Sequence, residues 1–206
     1  GPTYGVMLGT GGGLDNTSRK ASSYNSIGKV AILGNTLNLQ PPNQFEMSGG
    51  ISVQGGQAGG TNNDINGIQI AYNEVDPHGV IGINLQGANG WDGDDLSRLN
   101  QVSDIDCWCN NIAGAPTGGL SDLKGLSLIG GLEAAQNSLL GIHLKDNMVA
   151  GVLNDCAIVA NRGSKASGNS VALSNDPIVF PALAHCSSNG GTGTGSVSAD
   201  AAQRWV

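Results

Sequence analysis

Short runs in which apolar and polar residues alternate recur along most of the chain. They are Val30/Ile32, Leu37/Leu39, Ile51/Val53, Ile68/Ile70/Tyr72, Ile81/Ile83/Leu85, Ile105/Cys107/Cys109, Leu126/Leu128, Leu140/Ile142/Leu144, Cys156/Ile158 and Val171/Leu173. A period of two puts every second side chain on one face, which predicts β-strands with one apolar face each. Asn, Asp or Gly follows most of the runs, as expected at strand ends. Helical windows are scarce because glycine interrupts nearly every run before three turns are complete. Leu132 to Leu140 and Ala199 to Val206 are the best of them.

The strands also recur at an interval. In GIHLKDN, CAIVANR and VALSNDP, the residues Asn147, Asn161 and Asn175 stand 14 apart, each behind an alternating strand, which predicts a structural repeat. Earlier intervals vary: 13 from Ile68 to Ile81, 22 from Ile83 to Ile105 and 21 from Ile105 to Leu126. Such variation is expected where loops of unequal size leave a coil. A strand with two or three inward apolar positions cannot bury them alone, whereas a parallel stack makes a continuous core. Asparagine suits the corners, since it tolerates left-handed backbone and its amide can bond the coils above and below.

An antiparallel β-sandwich is the alternative, and it predicts two-residue Asn-Gly or Asp-Gly hairpin links. Asn66-Gly67, Asn89-Gly90, Asp92-Gly93 and Asn189-Gly190 are present, but none joins two of the runs directly. The expected fold class is therefore all-β, as a parallel solenoid. Residues 1–26 are expected as an irregular lead-in or cap, 27–186 as the coil, and 187–206 as a Gly/Ser linker and tail.

Composition narrows the partners. The 206 residues include 34 glycines, with 39% hydrophobic and 12% charged, enough apolar side chain for a core. Glycine has no third-residue period and no run approaches the roughly 18 apolar residues of a membrane-spanning helix, which sets aside collagen and membrane insertion. A net charge of −7 without a Lys/Arg cluster leaves no electrostatic footprint for nucleic acid. Four cysteines, Cys107, Cys109, Cys156 and Cys186, are too few and too spread for a disulfide scaffold. Gly1-Pro2 looks like a protease-cleavage scar, so a segment of a longer chain is expected.

Runs such as NDINGIQIAYNEVD, GIHLKDNMVAGVLNDCAIVANRG and SGNSVALSND resemble coils of the right-handed parallel β-helix of the pectate-lyase-like superfamily. That superfamily includes the polysaccharide-degrading tailspikes of bacteriophages. The resemblance covers residues 27 to 180 and implies a tailspike or tail-fibre segment, on the virion tail or outside the cell. It also implies a homotrimer, with bacterial surface polysaccharide as the partner and no cofactor.

Candidate chemistry lies in three places. Trp91, Asp92, Asp94 and Asp95 fall in a long interval between strands, where carboxylates beside an indole could bind a sugar and supply an acid and a base or nucleophile. A solvated acidic turn or a calcium loop is the plainer reading of that segment. Asp104, Asp106 and Trp108 share the outward face of one strand, with Ile105, Cys107 and Cys109 pointing inward. Neighbouring carboxylates raise one another's pKa toward that of an acid catalyst. The plainer reading is a solubilising face.

Glu74, Asp76 and His78 follow the Ile68 strand, and the HGVIG run resembles the His-Gly segment of polygalacturonase-type hydrolases. Glu74 and His78 are thus candidate substrate contacts. His143 is expected to face solvent, and neither it nor His185 has a partner at ligand spacing. Cys107 and Cys109 are expected as buried thiols, not metal ligands, because no second pair accompanies them. No metal site is expected. Gly9 to Gly13 lacks the lysine of a phosphate loop, and no G-x-S-x-G elbow is present. Two functions follow: polysaccharide binding with or without cleavage by the carboxylates, or a non-catalytic structural or adhesive solenoid.

Overall fold

The computed structural model describes residues 4–10, 22–39, 49–78, 80–90, 97–114, 123–174, 186–188 and 196–197. Among the described residues there is no helix, and the strands form three sheets. Sheet 1 orders β1 (Tyr4–Gly9), β4 (Gly49–Gln54), β7 (Ile81–Gln86), β10 (Leu126–Leu132), β14 (Cys156–Arg162) and β16 (Cys186–Ser188). Sheet 2 orders β2 (Ser26–Leu33), β5 (Asp64–Ala71), β8 (Gln101–Trp108), β11 (Ser138–Lys145), β15 (Ser170–Leu173) and β17 (Ser196–Val197). Sheet 3 orders β3 (Thr36–Asn38), β6 (Glu74–Asp76), β9 (Asn111–Ile112), β12 (Met148–Val149) and β13 (Val152–Leu153). The chain passes from sheet 1 to sheet 2 to sheet 3 and returns, so that β4, β5 and β6 lie beside β1, β2 and β3. Every neighbouring pair is parallel except the β12–β13 hairpin.

Four expectations change. Residues 4–9, inside the expected lead-in, form β1 and pair with β4. Within the expected linker and tail, Ser187 and Ser188 belong to β16 and Ser196–Val197 form β17, paired with β14 and β15. The window Leu132 to Leu140 is no helix: its ends belong to β10 and β11, and residues 133–137 make the corner between them. The 14-residue interval is no repeat either, because Asn147 follows a sheet 2 strand and Asn161 ends a sheet 1 strand. Asn175 lies outside the described residues. Equivalent asparagines stand 37 or 38 residues apart, except the last step of the first ladder, Asn137 to Asn169, which is 32.

Parallel register stacks like side chains in rows. Ile51, Ile83, Leu126 and Cys156 form one row of sheet 1, and Val53, Leu85, Leu128 and Ile158 the next. Sheet 2 contributes Ile65, Val102, Leu139 and Val171, then Ile68, Ile105 and Ile142. Sheet 3 adds Val75, Ile112 and Val149, and all of these side chains join one buried cluster. Each buried aliphatic side chain contributes roughly 1.5–3 kcal/mol relative to exposure. The sheet 3 side chains press against sheet 1 at Gly50, Gly82 and Gly125, where no Cβ fits. A Cβ on Gly82 would sit 2.4 Å from Cγ2 of Ile112 and 2.9 Å from the carbonyl oxygen of Gly125.

Strict alternation fails inside sheet 2. Each of β2, β5, β8 and β11 carries one left-handed residue at the same level, Lys29 (φ 58), Gly67 (φ 64), Asp104 (φ 54) and Gly141 (φ 62). The ladder skips that residue in every strand, so the irregularity stacks upon itself and register survives on both sides. The consequence is that Leu139, not Leu140, points inward with Ile142.

The inner strands of sheet 1, β4, β7, β10 and β14, are buried on both faces. Ser52, Gln54, Asn84 and Gln86, polar residues at positions that alternation would give to solvent, are wholly buried. They bond one another: Gln54 Nε2 donates to Ser52 Oγ at 3.1 Å, Asn84 Nδ2 to Gln86 Oε1 at 3.2 Å. Strands covered on both faces in this way cannot present their side chains to a ligand.

Two asparagine ladders hold the corners. Asn25, Asn63, Asn100, Asn137 and Asn169 precede the strands of sheet 2, and Asn35, Asn73, Asn110 and Asn147 precede those of sheet 3. In each step the backbone N–H and the Nδ2 of one asparagine both donate to Oδ1 of the next; for Asn73 to Asn110 the distances are 3.1 and 2.8 Å. The second amide hydrogen reaches back to a backbone carbonyl, as from Asn110 to Ile70 at 2.9 Å. Each interior asparagine is thus satisfied by two donors and two acceptors inside a corner closed to water.

Left-handed backbone sits one residue earlier, at Tyr24, Asn62, Leu99, Gln136 and Gly168 in the first ladder and Gly34, Tyr72, Cys109 and Asp146 in the second. The asparagine therefore serves through its amide, while its neighbour makes the bend.

Removing an interior member orphans several buried groups at roughly 1–3 kcal/mol each. Asn110→Ala is expected to lower unfolding free energy by about 3–5 kcal/mol in urea titrations. Asn25→Ala, at the open end of its ladder, is expected to lower it by about 1 kcal/mol. Equal losses for the two would refute the ladder as a buried network. At Leu99, 53% exposed with φ 58, a left-handed conformation costs a side-chain-bearing residue about 1 kcal/mol. Leu99→Gly is accordingly expected to melt several degrees above Leu99→Ala, the reverse of the usual order.

Candidate functional site

The described surface that gathers the most functional chemistry is the outer face of sheet 2, near its junction with sheet 3. Register places Gln69, Asp106 and His143 side by side on β5, β8 and β11, and Ala71, Trp108 and Lys145 one level on. Adjacent strands stand about 4.8 Å apart, so each row is a closely spaced rank. Tyr72, at the left-handed corner after β5, is 62% exposed. Its ring meets Trp108 edge to face, with centroids 6.3 Å apart and planes at 82°. Trp108 itself is half-buried, held from the side by Tyr72 with part of its indole open.

The outward row of Asp104, Asp106 and Trp108 is present, though its geometry differs from simple alternation. Asp104 is the left-handed bulge residue, and its carboxylate leans over Gly141 of the next strand. A Cβ added to Gly141 would stand 3.0 Å from Asp104 Oδ1. Asp104 is exposed and Asp106 half-buried on an open face.

Cys109 departs from the expected inward trio. It lies beyond β8 at a left-handed corner (φ 50) and is half-buried, while Ile105 and Cys107 are fully enclosed. Tyr72 was expected inward with Ile68 and Ile70, and it too is turned out by the corner. Its signal in the sequence is the asparagine that follows it, since the residue before a ladder asparagine is the one that bends.

Glu74, Asp76 and His78 lie around sheet 3, on a different side from the Trp108 row. His78 Nε2 is 2.9 Å from Asn38 Oδ1 and 3.3 Å from Asp76 Oδ2, an exposed contact at the surface. Trp91, Asp92, Asp94, Asp95 and His185 lie outside the described residues. Among the described residues no group of three or more His, Cys, Asp or Glu is placed to hold a metal ion.

The remaining thiol chemistry is internal. Cys156 is disulfide-bonded. Cys107 is fully buried, with Asn110 Nδ2 donating to its Sγ at 3.4 Å. Burial pushes its pKa up to about 12, against the opposing effect of that hydrogen bond. Such a thiol is a core side chain, not a nucleophile.

No family model, no curated protein and no solved structure matches this chain. The reading of its function therefore rests on the geometry of its own residues.

Because the folded Cys107 keeps its proton to about 12 while an unfolded thiol releases it near 9.0, stability is full below pH 9.0 and falls as pH rises toward 12. The wild type is expected to lose about 1.4 kcal/mol per pH unit in that window relative to Cys107→Ala. Urea titrations of both proteins across the window check this, and parallel curves would show that Cys107 titrates normally.

Proposed function

We propose that the chain is a segment of a right-handed parallel β-helix of the bacteriophage tailspike type, and that the outer face of sheet 2 binds bacterial surface polysaccharide. The cyclic passage through three parallel sheets supports the coil, since each return sets a strand beside its equivalent in the preceding turn. The Tyr72–Trp108 pair carries the binding reading. An indole fixed by a T-shaped neighbour offers a sugar ring an apolar platform at little entropic cost. Gln69, Asp106, His143 and Lys145 surround it with donors and acceptors for hydroxyl groups. A flat, ranked surface matches an extended polymer better than a compact ligand, because successive strands repeat the same spacing. Assembly as a homotrimer on a virion belongs to the same proposal.

In the enzymatic form of this reading, Asp104 and Asp106 serve as acid and base or nucleophile. Their exposure on an open face favours the second form, adhesion without turnover, because neither is enclosed where water is excluded and transition-state charge is stabilised.

Trp108→Ala is expected to weaken binding to a recognised polysaccharide at least tenfold, about 1.4 kcal/mol, with Tyr72→Ala weaker by a smaller factor. Titration calorimetry against glycans selected on an array measures this. Retained affinity in Trp108→Ala, or a protein that binds no glycan, removes the proposal. Release of reducing ends or unsaturated uronates that disappears in Asp106→Asn, with binding kept, selects the enzymatic form. No release from a bound glycan selects adhesion.

A further inference from the structure

The two ends of the stack differ in hydrogen-bond polarity. In both ladders the donors point toward later strands and the acceptors toward earlier ones. At the later end the donors are consumed within the chain. Asn147 N–H and Nδ2 both donate to Asn154 Oδ1, at 2.9 and 3.2 Å, just past the β12–β13 hairpin that folds back over the edge of sheet 3. Asn169 N–H and Nδ2 likewise donate to Asn161 Oδ1, at 3.2 and 2.7 Å.

The earlier end has no such closure among the described residues. β1, β2 and β3 are the terminal strands of their three sheets, all at this end. Asn25 Nδ2 donates to Asn63 Oδ1 and to Ser22 Oγ, and Asn35 Nδ2 to Asn73 Oδ1 and Leu33 O, so their amide hydrogens are spent. What they present outward is the Oδ1 acceptor, the atom that takes two donors at every later step. Val6, Leu8, Ile27, Val30 and Leu37, which cap the core here, are only partly buried, whereas their equivalents one turn on, Ile51, Val53, Ile65, Ile68 and Val75, are almost fully enclosed.

We infer that this end is a docking surface for one further β-coil, whose two asparagines, ten residues apart, donate to Asn25 Oδ1 and Asn35 Oδ1. The spacing is that of every pair already in the stack: 25 and 35, 63 and 73, 100 and 110, 137 and 147. A second copy of this chain does not supply those donors. Head to head, acceptor would face acceptor; head to tail, the donors of the later end are already engaged by Asn154 and Asn161. The occupant is thus a coil with its own unspent asparagine pair and with three strand edges that extend the parallel sheets. Open parallel edges beside apolar side chains are a liability unless covered, which gives the surface its driving force. This inference stands on register and polarity alone, so a failure of glycan binding leaves it intact.

The unmodified chain offers the first test. Amide hydrogen exchange is expected to be at least tenfold faster in β2 and β3, at the earlier end, than in β15 and β12, which follow the closing asparagines of the later end. Equal protection at the two ends would overturn the inference, as would a concentration-dependent dimer in sedimentation that protects β2 and β3. The second test adds the coil. Val6 is the register equivalent of Leu126, so a copy of residues 81–123 fused directly ahead of Tyr4 continues the stack. This fusion is expected to slow exchange at Ile27, Val30 and Leu37 by at least tenfold. The same fusion with alanine at the copy's Asn100 and Asn110 is expected to leave exchange fast. Identical exchange in the two fusions would overturn the role of the asparagines.

Discussion

A buried corner must bond its own polar groups, and in this protein one side chain does so by stacking on copies of itself. Asparagine is suited to the task because its amide carries two donors and an acceptor with two lone pairs, the set needed to bond one turn ahead and one behind. The bend that brings the chain to each corner is made by the preceding residue. Tyr72, Leu99 and Cys109 accept a left-handed backbone that their side chains disfavour, and packing on either side holds them there. Once the corners are closed in this way, the strands between them are held in parallel register, and the aliphatic rows of the core follow from that register.

The same constraint shapes the surface. Tyr72 is exposed because it occupies a bend, and its ring meets Trp108 because β8 ends directly beside that bend. The Gln69, Asp106 and His143 rank exists because the stacked bulge keeps register on both sides of it. Had the bulge been confined to one strand, β5 and β8 would slip by one residue and Asp106 would turn inward. The proposed glycan surface and the proposed docking end are therefore two consequences of one stacking rule, the first on the face of a sheet and the second at the edges of all three.

Strand content was legible from alternation: ten runs were read as strands, and all ten begin in one. The period was not. Asn147 and Asn161 look equivalent by local context, since each follows an apolar run, yet they lie at corners of different sheets. A comparison over 37 or 38 residues aligns Asn63-Asn73 with Asn100-Asn110 and reveals the repeat, because the two corners of one turn keep a fixed separation. At the site, Asp104, Asp106 and Trp108 were recognisable as an outward row, whereas Gln69, His143 and Lys145 were not. Their part depends on which residues of β5 and β11 stand beside β8, and local pattern holds no information on that.

The amino-acid sequence by itself determined that this protein is made of β-strands with apolar faces and that asparagine and glycine occupy its corners. Period-two alternation and corner chemistry are local, and local interactions can be read along the chain. Only the tertiary structure decided that the described strands gather into three sheets, that the polar face of the inner strands of sheet 1 is buried, and that Tyr72 stands against Trp108. Each of these depends on contacts between residues a full turn or more apart, where pairing register and the satisfaction of buried amides set the outcome.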